Sequence, residues 1–268
     1  MKFSIDQYQR IVGPVSVDDL DLDHAFTDAP LAEDDLRCLR YMHDIELHTV
    51  CYLRDLLVTS AHRDPDITTF LTMWAYEEYW HGEAIARVLR AHGETAGRPR
   101  VHAFRRGRRT REAVKPMAHL LSSVIAGPSM TAVHMTWGAV NEWTTQAGYA
   151  RLATTSGHPV LAELLHRIMK QEGRHIDFYA SQAHDRLVDD RRAQRLTRSA
   201  LQRFWTPVGS DVMPDDEVRH LIGHLFADAD GRAALARIDR RIDRLPGLAG
   251  LGLVSGAALA RSGVALAA

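Results

Sequence analysis

A chain of 268 residues that is 46% hydrophobic and 25% charged has enough apolar side chains for a core, which excludes an intrinsically disordered polypeptide. The net charge of -1 and a pI near 7.0 give no whole-molecule field for a polyanion, so nucleic acid is not an expected partner. Cys38 and Cys51 would stand about 20 Å apart on one helix, too far for a disulfide, which suits a reducing interior.

The start, MKFSIDQYQR, lacks the apolar stretch of a signal peptide, so a cytoplasmic location is expected. Residues 1–33 are read as an N-terminal segment, 34–210 as the main domain and 211–268 as a helical extension with an apolar tail. Helical periodicity dominates and strand signals are nearly absent, which predicts an all-α fold. A first helix is expected from about Asp34 to Ser60, with Leu39, Met42, Val50, Leu53 and Leu57 on its apolar stripe. Pro65 follows Asp64 at the start of a second, which ends before Gly93 and carries Ile67, Leu71, Trp74, Ile85 and Leu89 on one face. The stretch RPRVHAFRRGRRTREAVK, residues 98–115, holds eight Lys or Arg against one Glu and reads as a solvated basic loop. Further helices are expected over about Glu112 to Ala126 and, after the Gly127-Pro128 break, from Ser129 to Thr155. Past Gly157, His158 and Pro159, a long helix runs from Val160 towards Leu187 and on to Phe204. One more begins near Pro214. The tail LPGLAGLGLVSGAALARSGVALAA is interrupted by Arg261 and falls near or below the roughly 18 apolar residues of a spanning helix, so it is expected to pack on the protein.

Two buried-looking segments, YEEYWHGEAI and KQEGRHIDFY, each place a His three residues after a Glu: Glu78 with His81, and Glu172 with His175. The motif alone decides nothing, because Glu163 with His166 and Glu217 with His220 share it. Helical phase separates the pairs. At about 100° per residue, Leu71, Trp74 and Ile85 cluster around Glu78, and Leu161, Leu165 and Ile168 around Glu172, whereas Glu163 and Glu217 fall off the apolar stripes. Each buried pair is preceded by a further Glu on an apolar face, Glu46 before the first and Glu142 before the second. Four neighbouring buried carboxylates would cost several kcal/mol each or force protonation. Two divalent cations such as Fe2+ cancel that charge, and two imidazoles add neutral nitrogen ligands.

The order Glu46, Glu78-x-x-His81, Glu142, Glu172-x-x-His175, spread over residues 34–210, resembles the ferritin-like di-iron carboxylate proteins, and among them most closely the soluble acyl-[acyl carrier protein] desaturases. The resemblance implies a ferritin-like four-helix bundle with additional helices and two bound iron ions. Glu46 and His81 would be terminal ligands of one iron and Glu142 and His175 of the other, with Glu78 and Glu172 bridging. It implies an O2-dependent desaturation of an acyl chain held on acyl carrier protein or another thioester, a ferredoxin-type electron donor and a homodimer. Thr145, one turn after Glu142, matches a threonine beside the oxygen-binding side, and Arg174 matches an Arg before the second His. Trp80 stands where the first motif usually has an Arg, and Gln171 where an acidic residue often precedes the second Glu. Arg105, Arg106, Arg108 and Arg109 are candidates for holding an acidic, phosphate-bearing carrier. Met42, Ile45, Met73, Trp74 and Ile168 are candidates for lining a substrate channel. N-oxygenation or hydroxylation of another substrate stays open, although Ile168 occupies the place of the extra His ligand of the N-oxygenases. A non-catalytic ferritin-like iron-binding protein is the third alternative.

Overall fold

Proline and capping side chains set the helix boundaries in the computed structural model of the chain, which describes residues 3–262 apart from the side chains at 109–111, 122 and 262. The N-terminal segment contains α1 (Ile5–Gln9). A first hairpin follows, α2 (Glu33–Leu57) and α3 (Pro65–Ala91), joined through a 3-10 turn at Ser60–Arg63. The connection holds α4 (Arg98–Arg106) and α5 (Arg109–Ala126), and a second hairpin is formed by α6 (Ser129–Thr155) and α7 (Pro159–Leu187). Then come α8 (Arg191–Phe204), α9 (Asp215–Phe226), α10 (Ala229–Asp243) and α11 (Leu253–Ser262). The described residues are all-α, without a strand, and none of their helices is long and apolar enough to cross a membrane.

Asp64 caps α3 by accepting from the backbone N–H groups of Asp66 and Ile67, with Pro65 in the first turn. The hairpins are drawn tight by glycines. A Cβ on Gly82 of α3 would lie 2.5 Å from Leu47 Cγ of α2, and one on Gly138 of α6 would lie 2.4 Å from the Tyr179 ring of α7. Both hairpins then face each other across a polar strip that carries the six candidate ligands. The N-terminal segment folds back over α3 and α7, where Phe3 and Tyr8 join the stacked rings of Phe70 and Phe178, 3.7 Å apart. On the other side α9, α10 and α11 close over α2 and α6, with Ile222, Leu235, Val254 and Ala258 buried.

Three expectations are corrected. The basic stretch is helical rather than a loop: Gly97, at φ 71°, turns the chain into α4, Pro99 starts it, and arginine is a good helix former. Charge reported solvation there and not conformation. The helix from 160 does not run through to Phe204, because Asp190 starts α8 anew by capping Arg192 and Ala193. Finally, Val50 and Leu57 are 48% and 40% exposed, because the end of α2 meets α5 through polar side chains instead. In the tail, α11 packs on α9 and α10 as expected, and residues 263–268 lie outside the described ones.

Candidate metal centre

The spacing of three between Glu and His puts both on one side of a helix, and the apolar stripe around them turns that side inward. Glu46 on α2, Glu78 and His81 on α3, Glu142 on α6, and Glu172 and His175 on α7 are all buried and converge between the hairpins. They form two overlapping groups. Glu46, Glu78, His81 and Glu172 make one and Glu78, Glu142, Glu172 and His175 the other, with the ligand atoms of each group all within 4.8 Å of one another. Glu78 and Glu172 belong to both. His175 Nδ1 lies 2.9 Å from Glu172 Oε2 and 3.0 Å from Glu78 Oε1, and His81 Nδ1 lies 3.3 Å from Glu172 Oε1. Glu163, 50% exposed at its side chain, pairs with Arg167, and Glu217 pairs with Arg37, so neither joins the centre.

The outer ring fixes both imidazoles with Nδ1 inward. His175 Nε2 is held at 2.9 Å by Glu77, a residue the sequence reading passed over, and His81 Nε2 at 2.8 Å by Gln171. A carboxylate and an amide oxygen accept from Nε2, so in the neutral ring Nδ1 is the nitrogen that would offer its lone pair to a metal. Glu77 also accepts from Tyr8 at 2.7 Å, the Gly13 backbone at 3.3 Å and Arg174 at 2.6 Å, while Gln171 donates to Gly13 O at 3.1 Å. Trp74 donates to Glu142 at 3.0 Å and Tyr149 to Glu46.

The metal-free electrostatics show what such a site lacks. Burial pushes the Glu46, Glu78 and Glu142 carboxyls upward, and the Glu172 carboxylate pushes each of the three further up. Burial also works against an imidazolium at His175, but the hydrogen bonds its ring donates to the Glu172 and Glu77 carboxylates outweigh it and raise the group to about 10. Glu46 Oε2, Glu78 Oε1, His81 Nδ1 and Glu172 Oε1 are buried without a hydrogen-bond partner among the described residues. Four carboxylates, two imidazoles and inward-facing unsatisfied oxygens and nitrogen therefore fit a pair of divalent cations.

An apolar cavity abuts the centre, reaching from Glu46, Thr145 and Tyr149 past Met42 and Ile45 to the inner faces of α9 and α11. Among the described residues nothing hydrogen-bonds the Thr145 hydroxyl, whereas neighbouring Thr144 donates back to Val140 O at 2.8 Å. Of the channel candidates, Met42 and Ile45 line this cavity, Trp74 serves Glu142, and Met73 and Ile168 lie outside the lining.

The basic candidates divide. A second cleft has Glu46 in its wall and Arg98, His102 and Arg105 along it. Arg105 also donates to Leu47 O and Arg108 to Val212 O, with the Arg108 guanidinium 3.8 Å over the Phe104 ring, so both tie α4 to the rest of the fold. Arg106 is exposed beside His102, and the side chain of Arg109 lies outside the described residues. Comparison with protein-family models, curated proteins and solved structures finds no match to this chain.

Proposed function

We propose that the chain is an O2-dependent dinuclear-iron oxidoreductase of the ferritin-like kind that desaturates an acyl chain carried as a thioester. The observation that carries this reading is the juxtaposition of two ligand groups sharing Glu78 and Glu172 with an apolar cavity that ends at Glu46 and Thr145. Glu46 and His81 would hold one ion, Glu142 and His175 the other, and Glu78 and Glu172 both. Bound iron would supply the oxidising power for an unactivated C–H bond, which side-chain acids and bases lack. Removing two hydrogens from –CH2–CH2– and reducing O2 to two waters needs two further electrons and two protons, which a ferredoxin-type donor and solvent would provide. The chain's own residues do the rest. Met42, Ile45 and Leu221 exclude water from an alkyl chain, and the free Thr145 hydroxyl can hold or pass a proton at the cavity end. Arg98 and Arg105 give the cleft beside Glu46 a basic rim suited to an acidic, phosphate-bearing carrier.

The proposed homodimer is supported by α5, which is amphipathic the wrong way round for a lone molecule. Glu112 and Ser123 point inward onto Arg54 and the Ser60 backbone, while Val114, Met117, Leu120, Leu121, Val124 and Ile125 are 51% to 73% exposed. Such a stripe is of the few-hundred-Å2 order that marks an interaction surface.

The test is aerobic turnover of the iron-loaded chain with a reductase and ferredoxin on a panel of acyl-carrier thioesters, read by mass. Loss of two mass units per turnover is expected. A gain of sixteen would replace desaturation with oxygenation, and no O2-dependent change on any apolar substrate would remove the enzyme reading.

A further inference from the structure

Two residues past Glu46, and so about 200° round the helix, α2 turns His48 away from the dinuclear centre and towards α5. There His48, Cys51 and Glu112 each bring one ligand atom to a common point, all within 4.8 Å of one another. His48 and Cys51 are three residues apart and share a helix face, and Glu112 reaches in from the first turn of α5. His48 Nε2 stands 3.5 Å from Glu112 Oε1, too far and too poorly aligned for a hydrogen bond. Among the described residues neither ring nitrogen of His48 has a hydrogen-bond partner, and Glu112 Oε1 has none either. With His48 only 7% exposed and Glu112 8%, these are buried polar atoms left unsatisfied, at roughly 1–3 kcal/mol per group. A cation between them removes that cost. A separation of 3.5 Å is close to that of two ligand atoms on a tetrahedral ion with bonds of about 2.0–2.1 Å.

We propose that His48, Cys51 and Glu112 form a mononuclear site for a borderline-soft divalent cation of the zinc type, separate from the dinuclear centre, which pins α5 to α2. One sulfur, one nitrogen and one oxygen donor leave a fourth tetrahedral position for water. Thiolate ligation selects against magnesium and calcium, which take oxygen. Of the cations nearby, Arg105 donates to Leu47 O while its Nε has no partner among the described residues, and the other two are paired. Arg54 Nη2 donates to Asp55 at 2.6 Å and to Glu112 Oε2 at 2.9 Å, and Lys115 donates to Asp211 at 2.6 Å. By gripping Oε2, Arg54 leaves Oε1 turned towards His48, while the Phe104 ring stands edge-on to the imidazole at 5.4 Å. Burial keeps the Cys51 thiol above its usual range, so it is protonated in the metal-free chain. Binding exchanges one thiol proton for the metal–sulfur bond and releases it to solvent.

The experiment is a Co2+ titration of the iron-loaded full chain, followed by optical absorption. A thiolate-to-cobalt charge-transfer band saturating at one equivalent per chain is expected, retained in Cys38→Ser and lost in Cys51→Ser. Glu112→Gln, which keeps an oxygen for Arg54, and His48→Asn should each weaken the band's apparent affinity by about 100-fold or more, with iron content unchanged. No such band in the wild type, or an unaltered band in Cys51→Ser, overturns the site. The dinuclear centre has no sulfur ligand, so a chain that failed to hold iron would still give or withhold this signal independently.

Discussion

Glu77→Gln keeps the volume of a fully buried side chain and changes one oxygen to an NH2 group. All four neighbours of Glu77 donate: the Gly13 backbone and Arg174 to Oε1, and Tyr8 and His175 Nε2 to Oε2. If the amide nitrogen takes the Oε1 position, it faces a backbone N–H and a guanidinium, neither of which can accept. If it takes the Oε2 position, the Tyr8 hydroxyl can rotate to accept, and His175 can accept only as a neutral ring that has given up its Nε2 proton. The second orientation is the less costly, so the metal-free variant should lose about 1.5–3 kcal/mol, the worth of a charge-assisted bond to the guanidinium. Its consequence for metal is larger. Binding needs the neutral ring with its lone pair on Nδ1, and an amide NH2 facing Nε2 makes the neutral ring prefer its proton on Nδ1 instead. Affinity at that position should fall by about 100-fold, the upper end for an outer-ring change. Urea unfolding of the metal-free chain and equilibrium dialysis against Fe2+ measure the two quantities separately. Wild-type affinity for both ions, with stability changed by less than about 1 kcal/mol, would refute the tautomer argument.

In iron-binding assays, Glu78→Ala and Glu172→Ala should each lose both ions, Glu46→Ala one, and Glu163→Ala or Glu217→Ala neither; equal losses across the series would dissolve the assignment. Thr145→Val should leave iron content and melting temperature near wild type while uncoupling O2 consumption from product, and preserved coupling would remove the hydroxyl from the chemistry. Burial, helped by His119, holds the His134 imidazole down at about 3 from an ordinary 6.5. The unfolded chain therefore takes up this proton first as the pH falls, and the folded state loses about 2 kcal/mol between pH 7.5 and pH 5 from this group alone. Urea unfolding at the two pH values should show that portion of the loss vanish in His134→Phe. For α5, Leu121→Glu with Val124→Glu should convert a dimer to a monomer in sedimentation equilibrium without loss of iron; a wild-type monomer would leave the stripe without a second copy to cover it.

The burial of the six candidate ligands was legible because burial phase is periodic: Leu71, Trp74 and Ile85 around Glu78, and Leu161, Leu165 and Ile168 around Glu172, are all buried as their spacing requires. Glu77 was not legible. It neighbours Glu78 on the helix and looks like one more surface charge, and its burial is created by α1 and Gly13 folding back from more than sixty residues away. Long-range closure of this kind leaves no local period. The orientation of α5 was hidden for a related reason. Its apolar residues at 114, 117, 121, 124 and 125 recur as in any amphipathic helix, and periodicity says that a face is apolar without saying what covers it. The restart of α8 had a readable signal in Asp190, a capping residue before an Arg-rich helical stretch.

Trp80 and Gln171, the two departures from the desaturase pattern, become one change once the outer ring is seen. The residue before each shared Glu supports the His of the opposite hairpin: Glu77 holds His175, and Gln171 holds His81. The residue before each His is the natural neighbour of that support. Arg174 sits before His175 and neutralises Glu77 at 2.6 Å. The corresponding position before His81 is Trp80, and a neutral Gln171 leaves no charge there for an arginine to match. One half of the centre therefore has a carboxylate and a guanidinium where the other has an amide and an indole. A carboxylate acceptor makes its imidazole a stronger donor than an amide does, so the two candidate ligand groups are inequivalent. The apolar cavity touches Glu46, which belongs to the group with the weaker imidazole. Under the proposed function, an alkyl chain in that cavity would end beside the half of the centre whose imidazole has the weaker support.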